Sequence, residues 1–168
     1  MWLFKRAGRG LAAALLLCLA GCGFHFRGTP AFSPQMTVIY IDAADRYTPF
    51  YRELVTVLRR SDVKVADDPS QVRTVIKVLA DDTGRRLLTV TARNVPAEYE
   101  VYYRVRFSVD VDGTEVVPDE RLALTRDFAF DETEVLGKAG EEENIRQAIA
   151  VDLVGLVTRR LTAVVPPE

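Results

Sequence analysis

Tyr99-Glu100-Val101-Tyr102-Tyr103-Arg104-Val105-Arg106-Phe107-Ser108-Val109-Asp110-Val111 alternates without a break over thirteen residues. Tyr99, Val101, Tyr103, Val105, Phe107, Val109 and Val111 are aromatic or β-branched, and Glu100, Tyr102, Arg104, Arg106, Ser108 and Asp110 lie between them. Side chains of a strand point to alternate faces, so this period of two predicts a long strand with one buried and one wet face. Val105 and Phe107 are expected to face the core, with Arg104 and Arg106 on the other side.

The neighbouring segments extend the sheet. Upstream, Thr74, Ile76, Val78 and Ala80 alternate with Arg73, Val75, Lys77 and Leu79, and Leu88, Val90 and Ala92 continue one face. Asp81-Asp82-Thr83-Gly84 reads as a turn or a bulge within this strand. Asn94-Val95-Pro96 reads as a hairpin tip. Downstream, Asp112-Gly113 suits a tight turn. Residues 121–130 form a third long strand, with Leu122, Leu124, Phe128 and Phe130 on one side. Arg126 interrupts that side, so its guanidinium must pair or reach the rim.

Helices flank the strands. Thr37-Val38-Ile39-Tyr40-Ile41 predicts a first short strand. Thr48-Pro49 has the form of an N-cap followed by proline at the first helical position. Tyr51, Leu54, Val55 and Leu58 then recur at helical spacing, which predicts a helix over about 49–60. After Gly137-Lys138-Ala139-Gly140, Ile145, Ile149, Leu153, Val157 and Leu161 repeat every four residues, joined by Ala148, Leu156 and Val164. That apolar stripe predicts a long amphipathic helix starting with Glu141-Glu142-Glu143, whose carboxylates favour the positive end of the helix dipole. The expected fold class is α+β. It is a two-layer sandwich in which a mixed four-stranded sheet carries two helices on one face, in the order β-α-β-β-β-α.

The start of the chain is different in kind. Lys5, Arg6 and Arg9 precede an apolar run of about ten residues from Leu11 to Ala20, the layout of a secretory signal. The run is too short to span a bilayer as a helix. Leu19-Ala20-Gly21-Cys22 reads as a lipobox, which would make Cys22 the lipid-attachment residue and the mature N-terminus. The alternative is an ordinary cleaved signal with a chance cysteine. The expected organisation is therefore a lipoprotein signal peptide over 1–21 that is removed, a lipid-anchored tether over 22–36, and a single α/β sandwich domain over 37–165. Gly23, rather than an aspartate, follows the cysteine and favours the outer membrane on its periplasmic side.

Processing would remove three basic residues and no acid, taking the net charge from −2 to −5. So acidic a chain is a poor nonspecific ligand for nucleic acid. Cys22 would be its only cysteine, which leaves no internal disulfide and no thiolate metal site. His25 is the single histidine and reads as a tether residue. Phosphate-binding and dinucleotide glycine loops, HExxH and Gly-x-Ser-x-Gly are all absent from the sequence. Carboxylate pairs such as Asp67-Asp68 and Asp81-Asp82 lie among turn residues and read as solvated loop charge. The chain is expected to be no enzyme, with no catalytic residue, no metal and no cofactor. What remains is surface. The wet strand face, with Glu98, Glu100, Tyr102, Arg104 and Arg106, is either a solvated face or a docking face for a protein. Arg93 at the hairpin tip and Lys138 before the last helix, with Arg85 and Arg86 nearby, are either ordinary loop charge or a patch for phosphates.

Two stretches resemble a known family. Leu19-Ala20-Gly21-Cys22-Gly23-Phe24-His25-Phe26-Arg27-Gly28 and Thr91-Ala92-Arg93-Asn94-Val95-Pro96-Ala97-Glu98-Tyr99-Glu100 are similar to segments of the LptE family of lipopolysaccharide-assembly lipoproteins. So are the order of elements and the terminal amphipathic helix. The resemblance implies a plug inside the LptD β-barrel of the outer membrane, which helps that barrel to assemble and binds lipopolysaccharide during its insertion into the outer leaflet. It also implies that Arg93 and Lys138 are the lipopolysaccharide-binding positions. The competing expectation is another outer-membrane lipoprotein adaptor, a secretin pilotin or a transport-auxiliary lipoprotein, with the same lipobox and a small α/β fold.

Overall fold

Five strands and two helices make up the computed structural model, which describes residues 32–130 and 135–164; the side chains of Gln71 and of residues 135–139 lie outside that description. The elements are β1 (Val38–Ala43), α1 (Pro49–Arg60), β2 (Lys64–Ala66), β3 (Thr74–Val90), β4 (Pro96–Val111), β5 (Thr114–Ala129) and α2 (Val135–Val164). The sheet order is β2-β1-β3-β4-β5. β1 runs parallel to β2 and β3, while β3–β4 and β4–β5 are antiparallel. The fold is thus α+β with a mixed five-stranded sheet.

The expected four strands become five because β2 was not legible. Its three residues lie beside β1 at the sheet edge, too short to establish a period. The expected layering also needs correction. β1 pairs with β3 only as far as Ala43–Val78. Beyond that point β3, β4 and β5 continue as a ribbon whose end leaves Leu87, Leu88 and Val90 exposed. The helices therefore cover the sheet only in part.

β4 follows its alternation on the inner face, while Glu100 and Ser108 of the expected wet face are buried as well. Val101, Tyr103, Val105, Phe107 and Val109 are buried against the helical side, and Arg104 is exposed on the other. Asp112 and Gly113 close the β4–β5 turn with φ of 51° and 77°, the pair of left-handed residues that a two-residue hairpin turn requires. β5 begins directly after this turn, earlier than the expected Arg121. Pro118-Asp119 hid its first half; proline is tolerated there because β5 is an edge strand and the register shifts at that point.

β3 departs from its expected faces. A bulge between Val78 and Ala80 inserts Leu79, so Ala80 opposes Arg106 on the outer face and Asp81 opposes Val105 on the inner one. Asp81-Asp82-Thr83-Gly84 is therefore regular strand beyond the bulge. Gly84 lies opposite Tyr102, and a Cβ there would fall 2.6 Å from the Tyr102 hydroxyl. The absent side chain makes room for that ring.

The bulge brings Asp81 to the start of α1. Thr48 caps this helix, its Oγ1 accepting the Tyr51 N–H at 3.1 Å. Pro49 has no N–H to satisfy. The Phe50 N–H donates to the buried Tyr103 hydroxyl at 3.2 Å. Thr48 Oγ1 in turn donates to Asp81 Oδ2 at 2.5 Å. The orphan donors of the first turn are thus met by side chains from the cap and from β4. Tyr103→Phe removes the acceptor of a buried N–H, so it is expected to cost about 1–3 kcal/mol. Denaturant unfolding of the variant checks this.

Burial raises the Asp81 carboxyl above its usual value of 3.8, against the lowering effect of its bonds from Thr48 and Tyr103; Asp45 and Asp82 raise it further. Burial likewise raises the Tyr103 hydroxyl. A carboxyl raised in the folded state holds its proton more tightly there than in the unfolded chain. Its stabilising contribution is complete below the unfolded value and is lost as pH rises through the folded one. Asp81→Asn keeps an acceptor for Thr48 and removes the charge. Its melting temperature at pH 7 is expected to equal or exceed that of the parent, with a flatter fall in stability between mildly acid and neutral pH. A larger loss in the variant at pH 7 than at pH 4 would contradict this.

α2 starts at Val135, six residues before the expected Glu141. Gly137-Lys138-Ala139-Gly140 is thus helix rather than a preceding loop, and the three glutamates fall beyond the first turn. Its buried stripe is Ile149, Ala150, Leu153, Val154, Val157, Thr158 and Leu161. Arg126 does interrupt the inner face of β5, and its Nη2 pairs with Asp152 of α2 at 2.6 Å. The fold also begins ahead of β1. Met36 is fully buried, Ser33 caps a 3-10 turn over Pro34–Met36, and Phe32 packs on the core. Phe32, Ser33 and Met36, which the sequence reading places in the tether, thus pack with the fold.

Candidate functional site

The hairpin joining β3 to β4 carries the first of the expected binding residues. Its loop is Ala92-Arg93-Asn94. The Thr91 N–H donates to Val95 O at 2.7 Å, and the Asn94 N–H to Thr91 O at 2.9 Å. Asn94 takes φ of 60°, which its short polar side chain tolerates. A turn closed by a left-handed residue is a common three-residue hairpin loop. Thr91 Oγ1 also accepts the Val95 N–H at 3.2 Å. Arg93 is therefore held at the apex of a well-bonded loop, exposed and without an ion pair among the described residues.

Arg85 and Arg86 do not join it in a patch. They point to opposite faces of β3 and are both neutralised. Arg85 Nη1 meets Glu142 of α2 at 2.7 Å, and its guanidinium lies 4.9 Å from the Tyr99 ring centre. Arg86 Nε meets Glu100 at 2.6 Å. Glu142 also pairs with Arg146, which bridges on to Glu143. Tyr99 stacks with Phe128 and meets Phe130 edge-on. This charged and aromatic cluster fixes the start of α2 against the hairpin.

Lys138 belongs to the backbone of α2, one turn ahead of Glu142, and its side chain lies outside the described residues. Cys22 and His25 lie outside them entirely. The structure describes no contact that brings Arg93 and Lys138 together. It does add apolar neighbours that sequence reading missed. Leu87 and Val90 are each 48% exposed and Leu88 is 40% exposed, all on the strand leading into the Arg93 loop. Their signal was present in the run Leu87-Leu88-Thr89-Val90, but alternation assigned part of it to a covered face. The hairpin end thus offers a cation that has no ion pair among the described residues, beside exposed aliphatic side chains.

The outer sheet face is a second surface, built from cross-strand rows. Arg86, Glu100 and Asp127 form one row, and Gly84, Tyr102 and Thr125 the next. Then come Asp82, Arg104 and Ala123, followed by Ala80, Arg106 and Arg121. Arg104 lies 4.5 Å from the Tyr102 ring centre. Among the described residues no group of three or more His, Cys, Asp or Glu side chains is placed to hold a metal ion. No described helix is long and apolar enough to cross a membrane.

Comparison with known proteins places this geometry in a family. Residues 36–161 match the family described as "LptE: Lipopolysaccharide-assembly". A protein named LPS-assembly lipoprotein LptE from Pectobacterium atrosepticum is 30% identical over 152 residues, covering 89% of this chain and 81% of its own. One of the same name from Yersinia enterocolitica is 27% identical over 155 residues, covering 92% and 74%. Among solved structures, the rare lipoprotein B from Shewanella oneidensis superposes with a TM-score of 0.65 at 24% identity, over 75% of this chain and 94% of that one. A lipoprotein B from Nitrosomonas europaea does so with a TM-score of 0.68 at 24% identity, over 84% and 91%. The two structures share the fold. The match spans the sheet and nearly all of both helices, and on it the chain belongs to the LptE family of lipopolysaccharide-assembly proteins.

Proposed function

We propose that this chain is an outer-membrane lipoprotein that plugs the LptD β-barrel, aids its assembly, and binds lipopolysaccharide as that lipid enters the outer leaflet. It faces the periplasm and the barrel interior, held by acyl chains on Cys22 after removal of residues 1–21. It performs no bond chemistry and needs no cofactor.

The observation that carries the ligand reading is the hairpin end. Arg93 is held at the apex with no carboxylate partner among the described residues, and Leu87, Leu88 and Val90 stand exposed beside it. Lipopolysaccharide joins phosphates to acyl chains in one molecule. A free guanidinium forms charge-assisted hydrogen bonds to phosphate, and exposed aliphatic side chains gain when an acyl chain covers them. Lys138 adds a second cation from the start of α2. The chain's net negative charge makes the attraction a local one.

The test is a double substitution, Arg93→Glu with Lys138→Glu. It is expected to weaken lipopolysaccharide capture by about tenfold or more, a loss of some 1.4 kcal/mol, while co-purification with the barrel and the melting temperature stay unchanged. Undiminished capture at low salt would remove both residues from the site. Failure of the parent chain to co-purify with a large β-barrel would overturn the plug reading.

A further inference from the structure

We infer that the outer sheet face carries a separate oxyanion site, formed by Arg104, Arg106 and Arg121 and suited to a phosphate monoester borne on a sugar. For the identity of the sugar this rests on the lipopolysaccharide reading above; the oxyanion site itself rests on the geometry of the sheet. Arg106 and Arg121 stand directly opposite each other on β4 and β5. Like charges in that relation destabilise a sheet, so an anion between them would relieve a standing cost. Arg104 is the diagonal neighbour of Arg121 across the same pair of strands.

Among the described residues, two carboxylates serve these three guanidinium groups. Asp119 takes the Nε of Arg106 at 2.9 Å, which leaves that group's other donors free. Asp82 lies 3.9 Å from Nη1 of Arg104, beyond hydrogen-bond reach. Arg121 has no partner among the described residues. Ala80 and Ala123 put only small side chains between the arginines, and a depression of about 370 Å³ lies there, with Val105 and Leu122 completing a largely apolar floor beneath the guanidinium groups.

The shape and the charges favour a phosphorylated sugar over an acidic peptide. The depression is several times larger than a carboxylate needs. A phosphate offers three oxygens to three guanidinium groups. Asp82, also in the lining, is an acceptor for hydroxyl groups, which a sugar supplies and a glutamate side chain does not. The bulge at Leu79 is what places Ala80 and Asp82 here, since without it both would face the helices.

The test titrates the full chain in non-ionic detergent while the arginine Nε–H resonances are followed. The probes are glucose 1-phosphate, inorganic phosphate, glucose and a short glutamate peptide. Saturable shifts are expected at Arg104, Arg106 and Arg121, with none at the exposed Arg52 of α1. Glucose 1-phosphate should bind at least about tenfold more tightly than inorganic phosphate, and Arg121→Ser should weaken it by about tenfold. The same variant should melt no lower than the parent, because it removes a like-charge pair. Absence of saturable shifts at these arginines overturns the site. Equal affinity for free phosphate overturns the sugar, and preference for the peptide reassigns the face to a protein partner. Lipopolysaccharide capture that persists while glucose 1-phosphate fails to bind overturns this inference alone. Binding of glucose 1-phosphate without lipopolysaccharide capture overturns the earlier reading and leaves the oxyanion site standing.

Discussion

Phe107→Ala is expected to lower the stability of the fold by about 3–5 kcal/mol. Phe107 is fully buried on the inner face of β4, with Val105 and Val109 two residues to either side on the same face. β4 is hydrogen-bonded on both edges, to β3 and to β5. The backbone around Phe107 therefore has little freedom to collapse into the space left by the ring, and the cavity cost adds to the lost transfer energy. A domain of this size has a net stability of roughly 5–15 kcal/mol, so the variant approaches the threshold of folding. Equilibrium urea unfolding reads the effect as a lower midpoint with an unchanged slope. Arg104→Ala is the control, three residues away on the wet face. It removes an exposed side chain and is expected to stay within about 0.5 kcal/mol of the parent. A loss at Arg104 as large as that at Phe107 would show that the two faces had been reversed.

That pair of residues also marks what a sequence can disclose. The faces of β4 were legible because thirteen residues alternate and each contributes to the same two-sided pattern. α1 was legible from its ends inward, through Thr48, Pro49 and the apolar spacing that follows. β3 was legible as a strand and misread in its faces. One extra residue at Leu79 inverts the faces as far as Leu87, where the register shifts again, and a bulge leaves no mark when the residues around it are all plausible in a strand. The start of α2 was misread for a related reason. Gly137 and Gly140 have poor helix propensity, yet they are taken into a helix whose later turns are fixed by packing.

The binding surfaces divide in the same way. Arg93 was located by the turn signal of Asn94-Val95-Pro96, but its lack of an ion pair among the described residues was not legible. Arg85 and Arg86 have the same chemistry and are close in sequence. They are spent on Glu142 and Glu100, one of which comes from a helix 57 residues away. Only the folded chain separates a paired cation from an unpaired one. Arg106 and Arg121 face each other for the same reason, since their register depends on a shift near Pro118.

The largest effect is expected at a residue beyond the described fold. Cys22→Ala should abolish lipid attachment and leave uncleaved precursor. Each acyl methylene contributes about 0.8 kcal/mol on entering the bilayer, so losing two or three chains removes on the order of tens of kcal/mol of anchoring. No described helix is long and apolar enough to cross a membrane in its place. An apolar signal run of about ten residues cannot span one either. If the precursor segment is also replaced by a cleavable secretory signal without a lipobox, the domain should be released in soluble form from cells that lack the barrel. In cells that have it, the barrel should retain a fraction, since the folded domain is unchanged. Intact mass of the parent, fractionation of both variants and co-purification with the barrel separate the two forms of attachment. A parent mass with no acyl groups on Cys22 would refute the anchor. Retention of the unlipidated domain on membranes devoid of the barrel would mean that the fold itself holds the bilayer, and the exposed Leu87, Leu88 and Val90 would then be the first side chains to replace.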